Sequence, residues 1–251
     1  MLNNIKIGRY YNTDSKIHDM NPLSKIICIF MFVILSLITN DLTINLIISL
    51  IVLLVLGLTH VPLKNYFKTI YGIRILILFI LIINLILKVP FEQTMLIIIR
   101  LISLVLYTSI LTLTTPPSEI AFGLEKFFSP LKIIKVPVSK LALSISLALR
   151  FIPLLIDQTN RILKAEASRG IDYNNSSIKG KIEALKALII PLFISSFKRA
   201  DDLATSMEVR LYDFNVKRTN YRTNKFKLFD YYIIIMHTAF LILILIKGVI
   251  K

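Results

Sequence analysis

The sequence of 251 residues holds no tryptophan, one cysteine, three histidines and seven glycines. The one cysteine, Cys28, sits inside an apolar run, so neither an intrachain disulfide nor a cysteine-built zinc site is available. His18, His60 and His237 are far apart in sequence, and none has a ligand partner at helical spacing, which leaves no metal site to expect. No glycine-rich loop runs into Lys and Ser or Thr, so the chain does not cradle nucleotide phosphates as a P-loop ATPase does. Charge is scarce too: 18% of residues are Asp, Glu, Lys or Arg, against about 25% in ordinary soluble domains. The opening "MLNNIKIGRYYNTDSKIHDMNP" does not read as a secretory signal, because no apolar core or cleavage site follows its first charges.

What is present is apolar length. Hydrophobic residues make up 55% of the chain, and four runs dominate its first half, at residues 23–39, 42–58, 70–89 and 95–114. A fifth covers residues 231–246. Each is near the ~20 residues that cross a bilayer core as a helix. Single strands do not run so long, and a lone segment in lipid must satisfy its own backbone hydrogen bonds, which selects helix over sheet. The fold class is therefore all-α: an integral membrane bundle of about five transmembrane helices. Lysine and arginine set the orientation. Lys6, Arg9, Lys16 and Lys25 precede or open the first run, and Lys64 and Lys68 follow the second. The other connections carry only Asn40-Asp41, or Lys88 balanced by Glu92. The N-terminus and the region after Thr115 are expected in the cytoplasm.

The composition shifts after Pro116. Residues 117–227 hold 19 of the 30 Lys and Arg, and the formal net charge of the chain is +15. The chain thus divides into a membrane segment at 1–116, an amphipathic segment at 117–227 and a terminal span at 228–251. A short helix is predicted after the prolines of "TTPPSEIAFGLEKFFSPLK", ending at Pro130. Two long helices follow, near residues 138–169 and 181–210, the second carrying Pro191. The apolar half of the first, "LALSISLALRFIPLLI", is short for a span and suits an interfacial or protein-buried helix. Ser144 and Ala148 are small residues on one face, where another helix can approach closely. Gly170 is placed to end the first helix, and "DYNNSSIKG" reads as a turn. On the second helix an apolar stripe runs through Ile182, Leu185, Ile189, Leu192, Ser196, Leu203 and Met207 to Arg210.

Both long helices thus end in arginine, at Arg169 and Arg210. A cation in the last turn complements the helix dipole by about 0.3–1 kcal/mol, and this alone accounts for either residue. Their separation along a helix of some thirty residues adds something: a span of about 45 Å is too far for one small ligand, whereas two separate protein partners can use both. Arginine's fixed fork suits docking on carboxylates or carbonyls. No catalytic residues stand out, since Asp201-Asp202 are adjacent and diverge on a helix, and Glu166 and Glu208 read as surface or pairing groups. The basic residues are not interleaved with exposed aromatics, so a nucleic-acid partner is not expected.

In "GRYYNTDSKIHDMNPLSK", "TTPPSEIAFGLEKFFSPLKIIKVP", "LALRFIPLL", "EASRGID" and "PLFISSFKRADDLATSMEVRLYD", taken in this order over nearly the whole length, the chain resembles the T component of energy-coupling factor (ECF) transporters. The resemblance implies a membrane bundle with long, crossed cytoplasmic coupling helices, in the plasma membrane of a prokaryote. It implies a non-enzymatic subunit without cofactor that links two ABC-type ATPases, which bind the ATP, to a substrate-binding S component for vitamin or transition-metal uptake. In that family two Ala-Arg-Gly motifs dock into grooves of the ATPases. They correspond here to Ser168-Arg169-Gly170 and Val209-Arg210-Leu211, and in the second only the arginine matches. Ser144 and Ala148 are the candidate S-component contacts. Two other readings are a membrane enzyme acting on a lipid, which needs acidic or histidine clusters facing a cavity, and a permease binding substrate directly.

Overall fold

The computed structural model describes residues 10–134, 137–169, 178–213, 216 and 225–249. Among them every regular element is helical: α1 Pro22–Ile38, α2 Leu42–Gly57, α3 Leu63–Gly72, α4 Arg74–Ile86, α5 Phe91–Thr114, α6 Pro117–Phe127, α7 Val138–Ser168, α8 Ile178–Val209 and α9 Leu228–Val249, with a 3-10 turn at Ser129–Ile134 after α6. By length and composition α5, α7 and α9 are long and apolar enough to cross a membrane, and α3 with α4 makes a fourth span bent by 46°. α1 and α2 are shorter apolar helices.

Three boundaries differ from the sequence expectation. The third apolar run is two helices, because Ile73 leaves the helical region (φ −97°, ψ 3°) and its N–H turns back to the Ile70 carbonyl at 3.0 Å. Hydropathy passes through this break unaltered. The 3-10 turn carries the chain through Pro130, so α6 ends earlier, at Phe127. Ile178–Gly180, read as the end of a turn, already belong to α8.

The chain forms two compact units. The first contains α1–α6 and α9. α5 is its central strut, with α1, α2, α3 and α4 packed on it, while α1 also holds α6 and α9. Phe32, Val52, Leu56, Leu106, Tyr107 and Leu113 form the middle of the buried core, and the rings of Phe32 and Tyr107 stack at 4.2 Å. Beyond the exposed Arg74 that opens it, α4 turns apolar, bare side chains outward, with Leu85 81% exposed, as a lipid-facing helix requires. α6 runs along α1 in the same direction. Gly123 lies against Pro22 and Ile26, and one turn on Phe127 stacks on Phe30 at 4.7 Å.

Polar groups gather at the two ends of this unit. Asp230 is fully buried. One of its oxygens accepts from the backbone N–H of Asn21 at 3.0 Å and the other from that of Lys227 at 2.7 Å. It closes the first turn of α9 in the manner of a capping box and ties it to the residue that caps α1. Lys25 is buried beside it and donates to Thr115 Oγ1 at 2.8 Å, Thr114 O and Oγ1 at 3.2 Å and His18 O at 3.3 Å. The segment before α1 covers the same end. Tyr11 N donates to Leu113 O at 2.9 Å, and His60 Nδ1 lies 3.3 Å from Asp14 O. At the opposite end Arg100 reaches from α5 to the Thr39 carbonyl that closes α1, and Asn45 Nδ2 donates to the same carbonyl at 3.0 Å. The start of α1, the α2–α3 link, the end of α5 and the start of α9 therefore share one end, which is the end the lysine bias assigns to the cytoplasm.

Candidate functional site

The second unit comprises α7 and α8. They meet where Gln158 Nε2 approaches Ser195 Oγ at 3.5 Å and Arg199 Nη2 approaches Gln158 Oε1 at 3.4 Å. Both helices continue through an internal proline, Pro153 and Pro191. Much of their apolar surface has no cover among the described residues of the unit. Ile182, Leu185 and Ile189 of the predicted stripe are exposed, whereas Leu192, Ser196, Leu203 and Met207 are half-buried. Ser144 and Ala148 are exposed on α7, and Ser144 Oγ turns back to Lys140 O at 3.0 Å. The continuous α7 of 31 residues is long and apolar enough to cross a membrane, whereas its 16-residue apolar half alone is short for a span.

The two arginines do end their helices, but by different devices. Ser168 closes α7, its Oγ bonded to Lys164 O at 3.0 Å. Arg169 follows, its N–H returning to Glu166 O at 3.0 Å and its Nη1 pairing with Glu166 Oε1 at 2.8 Å. Glu166 is buried and the arginine is largely exposed, so the pair orients the guanidinium more than it stabilises the fold; exposed ion pairs contribute about 0–1 kcal/mol. Gly170, the expected cap, lies outside the described residues. At the other end Val209 closes α8, and Arg210 and Leu211 form the turn. Leu211 N–H bonds Glu208 O at 2.8 Å and Tyr212 N–H bonds Met207 O at 2.9 Å, the paired pattern of a Schellman cap. Leu211 takes the left-handed position, φ 56°, which a non-glycine residue occupies at a cost of about 1–2 kcal/mol. The left-handed stop forms without glycine. Arg210 is exposed and makes no ion pair among the described residues. The two handles lie in one unit; Arg169 is 11 residues past Gln158 and Arg210 is 11 residues past Arg199, each about 17 Å of helix from the place where α7 and α8 meet.

Sequence reasoning read Glu166 as a surface or pairing group without naming Arg169 as its partner, although a carboxylate three residues before an arginine is a helical pairing signal. It also missed Lys25 and Asp230, whose partners lie up to 209 positions away. No group of three or more His, Cys, Asp or Glu placed to hold a metal occurs among the described residues.

The described residues define an all-helical membrane protein with a second compact unit built from one helix pair. Residues 13–221 match the family model of the cobalt transport protein CbiQ. The energy-coupling factor transporter transmembrane protein EcfT of Bacillus subtilis (strain 168) is 36% identical over 238 residues, covering 88% of this chain and 90% of the relative. Its namesakes in Leuconostoc gelidum and Staphylococcus aureus are 37% and 34% identical, with 91% and 92% of each chain covered. The chain belongs to this CbiQ family, the transmembrane components of energy-coupling factor transporters.

Proposed function

We propose that this protein is the energy-coupling subunit of an ECF-type importer in a bacterial plasma membrane. α7 and α8 face the cytoplasm as coupling helices. One ABC-type ATPase grips the Ser168-Arg169-Gly170 end and a second grips the Val209-Arg210-Leu211 end. The ATPases bind and hydrolyse ATP, and this chain supplies no cofactor and no catalytic residue. A substrate-binding S component for a vitamin or a transition metal packs on the exposed apolar face that includes Ser144 and Ala148. Energy enters because the ATPases hold the two arginine ends differently in their two nucleotide states, and only such a difference can shift the helix pair.

The observation that carries this reading is the presence of two exposed arginine turns at the ends of one separate helix pair. Substituting both, Arg169→Ala with Arg210→Ala, tests it. The variant is expected to insert and purify as the parent does, while losing the co-purifying ATPases and ATP-driven uptake. Uptake at the parental rate by a well-inserted double variant sinks the docking role.

A further inference from the structure

The left-handed position at the end of α8 raises a question that the arginine does not answer. Among the described residues three non-glycine residues hold positive φ at helix ends: His60 at 56°, Lys88 at 53° and Leu211 at 56°. The first two are polar residues at links of the membrane unit. Leu211 is a branched apolar side chain, 91% exposed, with Val209 at 77% on the other side of Arg210. The described residues give Leu211 no burial to offset its backbone strain, and glycine would satisfy the backbone without it. The charges are unlike as well. Arg169 is answered by its own Glu166, whereas Arg210 stands without an ion pair among the described residues, between two bare apolar side chains.

We propose that Leu211 is a specificity-determining docking knob: with Val209 it brackets Arg210 and selects, at this end of α8, an ATPase subunit whose groove offers an apolar pocket beside a carboxylate or carbonyl acceptor. The proposal rests on the docking reading above and adds that the two ends are not interchangeable. The Ser168-Arg169 end presents a small polar residue and a cation already paired. The Val209-Arg210-Leu211 end presents a cation with no ion pair among the described residues and two exposed apolar groups that need cover. A groove suited to one leaves the other with an unanswered charge or a bare leucine, so each end rejects the wrong subunit.

The test uses the full chain in detergent and the two ATPase subunits of its own complex, each purified separately, with affinity read by biolayer interferometry. Leu211→Gly and Leu211→Ala are each expected to weaken one subunit about tenfold and leave the other unchanged. Leu211→Met, which keeps the apolar volume, restores binding. Because glycine relieves the left-handed strain, a loss with Leu211→Gly is not a loss of the helix end. Parental affinity for both subunits in Leu211→Gly overturns the proposal. If Arg210→Ala still weakens binding in that case, docking at this end stands without the knob. If Arg210→Ala and Arg169→Ala are also silent, the docking reading itself fails. A changed oligomeric state or changed liposome association with ATPase affinity intact gives the knob to a second copy or to lipid, and likewise overturns it.

Discussion

Gly123 fixes how closely α6 lies on α1, and a graded series at this position measures that contact. A Cβ placed on Gly123 sits 2.8 Å from Ile26 Cδ1 and 3.1 Å from both the carbonyl carbon and Cβ of Pro22. The isoleucine methyl is the end of a flexible side chain and can rotate aside. Pro22 cannot: it opens α1, and the residue before it is tied to Asp230. α6 must therefore withdraw by a few tenths of an ångström. Alanine gains about 1 kcal/mol over glycine in a helix interior, and overpacking costs about 1–3 kcal/mol, so Gly123→Ala is expected to be neutral to about 2 kcal/mol destabilising. Gly123→Leu adds atoms with nowhere to go, displaces α6 and breaks the Phe30–Phe127 stack, for an expected loss of about 3 kcal/mol or more. The buried Cys28, the sole thiol, supplies the assay. A thiol-reactive dye reports its exposure in detergent as temperature rises, and each kcal/mol lowers the transition by about 2–4 °C for a chain of this size. The expected order is Gly at or above Ala, then Val, then Leu. A Gly123→Leu protein that unfolds with the parent refutes the close approach of α6 to α1.

The same dye assay checks three further expectations. Asp230→Ala leaves the Asn21 and Lys227 N–H groups without their charged acceptor and is expected to cost about 3 kcal/mol, where hydrogen bonds to charged groups contribute about 1.5–3 kcal/mol each; an unchanged transition would mean that water satisfies those donors. Tyr107 Oη lies 2.8 Å from His237 Nε2, while His237 Nδ1 bonds Ile233 O at 2.9 Å. Tyr107→Phe should therefore cost about 1–3 kcal/mol by orphaning that nitrogen, and Tyr107→Phe with His237→Phe should cost less than the sum of the two single changes; strict additivity would rule out the pair. His18 carries the pH dependence. Burial, chiefly, with help from Lys25, holds its pKa below the ordinary 6.5, against the Tyr11 carbonyl, Asp14 and Asp19. The neutral ring is thus favoured in the folded state. Its contribution is fully present above pH 6.5 and is lost as pH falls through the lowered folded value. Protease sensitivity of the segment before α1 should rise on acidification through that window and should do so less in His18→Gln; identical profiles for the two proteins contradict the assignment.

The apolar helices were legible because lipid demands long apolar runs, and that demand is written locally in residues 23–39, 42–58, 95–114 and 231–246, although of the helices there α5 and α9 reach the length of a span and α1 and α2 do not. The break at Ile73 was hidden, because a change of φ and ψ within an apolar stretch leaves no mark on hydropathy. The two arginine ends were legible because a helical stripe ran into Arg210 and a glycine followed Arg169. Their unlike chemistry was only half legible. Loss of glycine at 211 was visible, but whether leucine would take the left-handed position depends on the paired cap bonds to Met207 and Glu208. Lys25 and Asp230 could not be read as partners at all, since no local pattern links an aspartate at the start of α9 to the cap of α1. Asp230 did leave one signal: a carboxylate at the third position of a helix, set to reach back to the residue before it.

The distribution of these ties bears on how the protein transmits motion. Helices in lipid gain little from hydrophobic association, so a membrane bundle is held by close packing and by hydrogen bonds. The first unit places such bonds at both ends, Lys25 and Asp230 at one and Arg100 and Asn45 at the other, with α6 set tightly on α1 at Gly123. α7 and α8 are joined, among the described residues, by two hydrogen bonds of 3.4 and 3.5 Å around Gln158, and they leave much of their apolar surface bare. Weakly made bonds of this length contribute little, since hydrogen-bond strength falls steeply with distance and misalignment. The crossing angle of the pair is then set chiefly by whatever covers its apolar faces and holds its arginine ends. On the proposed function, a unit tied at both ends and a helix pair joined by few bonds differ in how readily partner binding alters them, and the pair should change first. Gln158→Ala should therefore disturb the assembled transporter far less than it disturbs the isolated chain, and proteolytic nicking of α7 and α8 with and without ATPases measures both. Equal disturbance in the two states would place the rigidity of the pair within the chain itself.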